Sequence, residues 1–179
     1  MTKVLVLLAD GFEEIEATTI IDVLRRAEIE VTTAALKEEK VRGAHGITVL
    51  ADCLLPAAEG KAFDAIILPG GQPGSRNLRE DANVIKLIQQ QAKQDKYLGA
   101  ICAAPIALEA AGVLKGKRAT SYPGYELPSA QTSELRVVVD GKLVRVGRGS
   151  ALLRSQLVPQ VCRNVNMLEQ VSNSPAVHP

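Results

Sequence analysis

The stretch Val4-Leu5-Val6-Leu7-Leu8 decides the fold, because it is a continuous apolar run of the length of one β-strand. A strand that is apolar on both faces is typical of a parallel sheet covered by helices. Gly11 marks a turn after this run, and residues 13–26 have a helical apolar spacing with acidic residues first and arginines last. A second strand, from Ile29 to Leu36, completes a strand–helix–strand unit.

The same alternation continues along the chain. The pattern predicts a strand at 63–68, a helix at 82–96, a strand at 97–101 and a helix at 105–111. Asp140-Gly141 lies between two apolar runs and predicts a β-hairpin over residues 137–144. Alternating strands and helices predict an α/β fold, a doubly wound sandwich with a mostly parallel sheet.

The composition is typical of one ordinary globular domain. The 179 residues fit a single domain, which we place at 1–171, with residues 172–179 as a disordered tail. Lys and Arg number 21 and Asp and Glu number 20, so the net charge of +1 gives no signal for binding nucleic acid or an anionic membrane. Apolar runs are too short for a signal peptide or a membrane span, and we therefore expect a cytoplasmic protein.

The three cysteines are Cys53, Cys102 and Cys162. Their odd number and wide spacing argue against a disulfide framework. Two histidines and no paired cysteine motif predict no metal site. We interpret Cys53 and Cys162 as buried structural residues that behave as small hydrophobic side chains.

Cys102 has a different context from the other two cysteines. The segment Ala100-Ile101-Cys102-Ala103-Ala104-Pro105 places it between a buried strand and a helix, with small residues on both sides. This arrangement is similar to a nucleophile elbow, which is a tight and strained turn. The N–H groups and dipole of a helix N-terminus favour the thiolate, so the sequence predicts a lowered pKa for this thiol. The alternative is a buried structural cysteine.

Two other strand exits should lie on the same edge of a parallel sheet. After the first strand, we interpret Glu13 and Glu14 as a solvated helix start, whereas Glu16 is expected to be partly buried with a raised pKa. A carboxyl in that position donates a proton or a hydrogen bond to a nearby thiolate. After the third strand, the N–H groups of Gly70 and Gly71 either bind an oxyanion or belong to a plain tight turn.

Three motifs together carry a family resemblance. Residues 11–17 read GFEEIEA, residues 68–71 read LPGG, and residues 100–105 read AICAAP. In order, spacing and flanking strands the chain resembles the ThiJ/PfpI superfamily over about residues 1–146, and within it the DJ-1 branch with its bacterial relatives. The resemblance implies a flavodoxin-like fold, a homodimer and activities that need no cofactor.

The resemblance also implies a role for each matching residue. Cys102 matches the reactive nucleophile, and Glu16 matches the protonated residue that hydrogen-bonds it. Gly71 and Ala103 match the positions whose backbone N–H groups line the oxyanion site, and Gly70 lies in the same loop.

Several positions depart from the family pattern. Protease-like members carry a histidine directly after the nucleophile, where this chain has Ala103, so we do not expect a peptidase. Tyr122 stands where a histidine is often found and either lines the pocket or is a packed loop aromatic. His45 stands where many relatives have an arginine that approaches the pocket, and Arg26 is a candidate for the subunit interface.

The largest departure follows Val146. Relatives continue into Ser-Arg-Gly-Pro-Gly-Thr and a long helix, whereas this chain continues Gly147-Arg148-Gly149-Ser150. We expect a helix at 152–171 that Pro159 interrupts. Our hypothesis is that the tail is divergent or frame-altered, and that the last helix packs poorly or in two pieces.

Three functions remain open from the sequence. The first is a cofactor-free enzyme of stress defence, of the glyoxalase or deglycase type, whose substrates are reactive aldehydes or glycated adducts. In it the Cys102 thiolate attacks a carbonyl to give a hemithioacetal, and Glu16 moves a proton between oxygen and carbon. The second is a non-enzymatic oxidative-stress sensor or chaperone in which Cys102 is oxidised. The third is a binding module on the same fold.

Overall fold

The fold is described from a computed structural model, which describes residues 2–147. Its centre is a seven-stranded sheet with the order β10-β11-β7-β6-β1-β2-β5. All neighbours are parallel except the β10–β11 pair. The strands of this sheet are β1 (Lys3–Leu8), β2 (Glu30–Ala35), β5 (Cys53–Leu54), β6 (Ala65–Leu68), β7 (Tyr97–Ile101), β10 (Val137–Asp140) and β11 (Leu143–Val146).

Helices cover both faces of the sheet. They are α1 (Glu14–Arg26), α2 (Leu55–Ala58), α3 (Gly74–Glu80), α4 (Ala82–Lys93) and α5 (Pro105–Ala110). On one face, Ile20 and Leu24 of α1 pack in a cluster with alternate residues of β1, and on the other face Ile88 of α4 packs with the remaining ones. The doubly wound, flavodoxin-like α/β sandwich with a mostly parallel sheet is therefore confirmed.

The first strand shows why its apolar run predicted a covered sheet. Residues 4–8 are all fully buried, and they alternate between the two core clusters. Because successive side chains of a strand point to opposite faces, only a layer of helices on each side can bury all of them.

The predicted hairpin is confirmed, and its second strand runs two residues further than expected. Asp140 pairs with Leu143 around Gly141, whose φ of +58° is in the left-handed region that the turn requires. The extension to Val146 buries Arg145, which pairs with Ala100 of β7. Within residues 2–147, the three guanidinium nitrogens of Arg145 have no hydrogen-bond partner, and burial lowers the pKa of Arg145 to about 10.

Smaller elements were not predicted from the sequence. Two short ladders are the antiparallel pair β3 (Lys40–Arg42) and β4 (Thr48–Leu50) and the pair β8 (Arg118–Ala119) and β9 (Gln131–Thr132). These segments of two or three residues are too short to show a periodic apolar pattern. Helix α3 was also missed because Gly74 and the polar residues after it resemble a loop.

Several expectations concern residues outside the described range. They are the helix at 152–171 with its break at Pro159, the tail at 172–179, the structural role of Cys162 and the divergent packing after Val146. The domain boundary at residue 171 likewise stays a prediction. Over residues 2–147, no helix combines the length and apolar character that crossing a bilayer requires.

Candidate active site

The carboxyl ends of β1, β6 and β7 lie side by side, as the sequence predicted for parallel strands. Three loops leave the sheet there and meet around Cys102. Ligand sites in doubly wound folds form at this edge of the sheet.

Cys102 occupies a strained turn between β7 and α5. Its φ is +59°, in the left-handed region that residues with a Cβ rarely adopt. The backbone is held there from both sides, because its N–H donates to the Val146 carbonyl at 2.7 Å and its carbonyl accepts from the Tyr122 N–H at 2.8 Å. Ala103 and Ala104 are buried, so the turn has room only for small neighbours. The elbow geometry matches the expectation from the sequence.

Glu16 lies on α1 with its carboxyl buried against Cys102. It is 3 % exposed, and it accepts a hydrogen bond from the Gly70 N–H at 2.9 Å. Burial raises the pKa of Glu16 to about 7, and the charge of Glu13 adds to this effect. The hydrogen bonds from Gly70 and from the Cys102 thiol act in the opposite direction and are outweighed by burial.

The prediction of a lowered thiol pKa was wrong. Burial and the adjacent Glu16 charge raise the pKa of the Cys102 thiol to about 12. The N–H groups of Ala103 and Gly71 lower it, but the loss of water and a carboxylate on the same side outweigh two dipoles. Helix α5 has only six residues, so its dipole adds little to these N–H groups.

The two groups titrate as one unit. At a pH between about 7 and about 12, the pair of Glu16 and Cys102 carries one negative charge and one proton. Glu16 is therefore a proton acceptor within hydrogen-bond reach of the thiol. The arrangement places a nucleophilic sulfur beside its own base. Glu16 can take the thiol proton as the sulfur attacks, so a free thiolate need not form beforehand.

The loop after β6 divides its N–H groups between two tasks. The Gly71 N–H, like that of Ala103, is directed at the Cys102 sulfur. The Gly70 N–H donates to the Glu16 carboxylate at 2.9 Å, and the oxyanion role expected for Gly70 stays a prediction. Glycine is required at position 70 because a Cβ there would meet the Glu16 carboxylate and would lie 2.6 Å from Cβ of Cys102.

Tyr122 and His45, the two other predicted pocket residues, differ in whether they contact Cys102. Tyr122 touches Cys102 through its backbone, while its half-exposed ring lies 6.4 Å from the ring of Tyr125. The side-chain contacts that the structure gives His45 are with Glu14 and Glu13, at the start of α1. The structure thus keeps Tyr122 beside the elbow and places His45 in a separate cluster.

That separate cluster corrects the interpretation of Glu14 as a solvated residue. Glu14 is buried and accepts hydrogen bonds from the His45 N–H at 2.7 Å and from its ring Nδ1 at 2.9 Å. In the described part of the chain, the side chains of Glu13, Glu14 and His45 bring their ligand-type atoms within 4.8 Å of one another. The sequence contained no signal for this cluster, because His45 reaches α1 from the unpredicted β3–β4 hairpin.

The sequence and the fold of this chain are similar to those of known proteins. The sequence model of the DJ-1/PfpI family matches residues 2–151. The DJ-1 homolog B of Arabidopsis thaliana is 41% identical over 155 residues, which cover 84% of this chain and 35% of that protein. The chain thus spans about a third of the length of this plant relative.

A second relative and a solved structure match over most of their own length. A protein of Pyrococcus abyssi that is named a deglycase is 34% identical over 146 residues, which cover 79% of this chain and 87% of that protein. The crystal structure of Drosophila melanogaster DJ-1beta superposes with a TM-score of 0.89 at 34% identity and covers 96% of this chain and 94% of that one.

Proposed function

This chain belongs to the DJ-1/PfpI family, and from that premise we propose that it is a cysteine-dependent enzyme that acts on reactive carbonyl compounds without a cofactor. The observation that carries the proposal is the coupled pair of Glu16 and Cys102 at a strained elbow, faced by two backbone N–H groups. A family member from Pyrococcus abyssi is named a deglycase, which supports glycated adducts and 2-oxoaldehydes as the substrate class.

The first step joins the thiol to the carbonyl carbon. As the Cys102 sulfur attacks, the thiol proton passes to the Glu16 carboxylate and the carbonyl electron pair moves to oxygen. The N–H groups of Gly71 and Ala103 stabilise the charge that develops on this oxygen. Glu16 then returns the proton to the oxygen, and the product is a neutral hemithioacetal.

The second step converts a 2-oxoaldehyde adduct into an acid. Glu16, again a carboxylate, removes the proton from the carbon bonded to sulfur, and the electron pair moves through an enediolate to the neighbouring carbonyl oxygen. The hydroxyl proton passes from the oxygen on the sulfur-bearing carbon to that neighbouring oxygen, and Glu16 delivers the first proton to the neighbouring carbon as the carbonyl re-forms beside sulfur. The product is a thioester of a 2-hydroxy acid. Water attacks this thioester, releases the acid and restores the thiol, so that methylglyoxal and water give lactate with no external oxidant or reductant.

The experiment that tests this function follows lactate formation from methylglyoxal by the purified protein. Cys102→Ser removes the nucleophile and Glu16→Ala removes the proton acceptor, and we expect a loss of at least about a hundredfold in kcat/KM for each. Cys53→Ser is the matched control, because that thiol lies 3.8 Å from the Thr33 carbonyl and away from the elbow. Turnover that survives both site variants would contradict the proposal.

A redox-sensing or chaperone role is the second candidate. It is favoured by the half-buried state of the Cys102 thiol, whose sulfur both oxidants and the N–H groups of Gly71 and Ala103 can reach. Oxygens added to the sulfur would accept hydrogen bonds from those groups. Sulfinic acid formed at Cys102 under mild peroxide, without turnover of methylglyoxal, would favour this function. A protein with neither property would be a binding module.

The assembly and location of the protein belong to the proposal as well. A homodimer agrees with the exposed apolar side chains of Ile15 and Ile47, which flank the buried Glu14 on one surface. The roles in stress defence and in the cytoplasm, the bacterial relationship and the interface role of Arg26 stay predictions. Sedimentation of the purified protein decides its oligomeric state.

A further inference from the structure

An open groove of about 560 Å³ adjoins the edge of the sheet that carries Cys102. The residues that form its walls include Gln72, Pro73, Arg76, Arg79, Ile106 and Tyr125. Nothing in the mechanism above uses them, since the carbonyl chemistry is complete with the thiol, the carboxyl and two N–H groups.

Each wall of the groove continues a segment that holds the reactive thiol. Gln72 and Pro73 follow Gly71 directly, and Gly71 directs its N–H at the sulfur. Ile106 lies in the first turn of the helix that begins after the elbow. Tyr125 donates its N–H to the carbonyl of Tyr122, which itself is bonded to Cys102. The walls of the groove are therefore continuous along the chain with the segments that surround the thiol.

The groove is positively charged. Arg76 and Arg79 are three residues apart on α3, so their side chains lie on the same face of the helix. Arg79 forms an exposed ion pair with Glu80 at 3.1 Å, whereas Arg76 has no ion pair within residues 2–147. Among residues 2–147, no carboxylate lines the groove. Pro73 and Ile106 add apolar surface to the walls, and Gln72 and Tyr125 add polar groups.

We propose that this groove is a subsite for an anionic group of the substrate, with Arg76 as its main anchor and Arg79 beside it. The inference rests on the proposed function for the carbonyl end of the substrate. It narrows the substrate class to carbonyl compounds or glycated adducts that carry a carboxylate or a phosphate at the end remote from the carbonyl. Guanidinium groups bind both anions through paired N–H donors.

The subsite can be tested without turnover by comparing two disulfide reagents of similar shape. Dithiobis-nitrobenzoate is anionic and dithiodipyridine is neutral. Each reacts when the Cys102 sulfur, having lost its proton to Glu16, attacks one disulfide sulfur and expels a coloured aryl thiolate with the electron pair. A Cys53→Ser, Cys162→Ser background leaves Cys102 as the single thiol of the chain.

The measured quantity is the ratio of the two reaction rates, anionic over neutral. We expect Arg76→Gln to lower this ratio by about fivefold and Arg76→Glu to lower it further, as the loss of an exposed charge contact predicts. The effect should shrink as salt is added. Lys86→Gln is the control, since it removes a positive charge from the exposed face of α4 outside the groove. An unchanged ratio in both Arg76 variants would overturn the subsite.

A second measurement separates the subsite from the proposed function. Nitrobenzoate and its neutral amide are titrated separately into the isotope-labelled protein while the backbone amide signals are followed. Shifts at residues 72–79 with the anion alone, lost in Arg76→Gln, support the subsite even if methylglyoxal is not turned over and Cys102 reacts with neither disulfide. Identical responses to both compounds would overturn the subsite and leave the carbonyl chemistry of Cys102 unaffected.

Discussion

Two buried polar regions of this molecule lie at similar depth and have opposite chemistry. At the elbow, Glu16 and Cys102 share one proton, and the N–H groups of Gly70, Gly71 and Ala103 are directed at them. In the last described strand, Arg145 is as deeply buried, yet none of its guanidinium nitrogens has a hydrogen-bond partner among the residues that the structure describes. The elbow pair can pass a proton between sulfur and carboxylate, whereas burial of the Arg145 cation costs stability. Burial produces function only where the surrounding groups complement the charge.

The largest effect is expected from a methyl group placed inside the pair. Gly70→Ala would push its Cβ against the Glu16 carboxylate and against Cβ of Cys102. Displacing either group by about 1 Å should lower kcat/KM for methylglyoxal by about a hundredfold. Gly99→Ala is the matched control, because its Cβ would make only an ordinary contact with Ile67 at 3.5 Å. If both variants kept full activity, the close packing of the pair would have no role in turnover.

The next effect concerns pH and the stability of the elbow. The pKa of Glu16 is about 7 in the folded protein against an ordinary 4.5, so the folded state binds more protons between these values. The stabilisation is therefore present below about pH 4.5 and is lost as pH rises through about 7, a loss of about 3 kcal/mol.

Urea unfolding of the wild type and Glu16→Gln, at about pH 5 and about pH 8, measures this loss. The glutamine variant does not titrate at this position, so its free energy of unfolding should fall less between the two conditions. The difference between the two proteins reports the coupled pair of Glu16 and Cys102, because all other titrating groups are shared. An equal fall in the free energy of unfolding of the two proteins between the two pH values would mean that Glu16 keeps an ordinary pKa in the fold.

A somewhat smaller change, of opposite sign, is expected at Arg145. Arg145→Met keeps a long side chain and removes the unpartnered guanidinium, which should raise the free energy of unfolding by about 2 kcal/mol. Arg145→Lys keeps a buried charge and should give no gain. Calorimetry of the three proteins provides the test, and a methionine variant that melts below the wild type would show that the guanidinium is satisfied in solution.

The elbow and the strand also differ in how far the sequence could predict them. The apolar run at 4–8 and the small residues around Cys102 predicted the sheet edge and the elbow, because both signals are local. The direction of the shift in the pKa of the Cys102 thiol could not be predicted. It depends on the burial of the thiol and on the charge of Glu16, which lies 86 positions away in the chain. The burial of Arg145 was missed because the predicted hairpin ended at residue 144, one position before it.

The smallest expected effect is at the cluster that the sequence did not show. The ring of His45 is exposed, and its hydrogen bond to Glu14 together with the charge of Glu13 raises the pKa of His45 above 6.5. The contribution of protonated His45 to the stability of the fold is complete below pH 6.5, the ordinary pKa, and is lost as pH rises through the raised pKa. An NMR titration should show this upward shift, and Glu14→Gln should move the value back toward 6.5. An unshifted ring in the wild type would separate the β3–β4 hairpin from α1 in solution. The shared proton at the elbow would then be the one coupled titration on this edge of the described molecule.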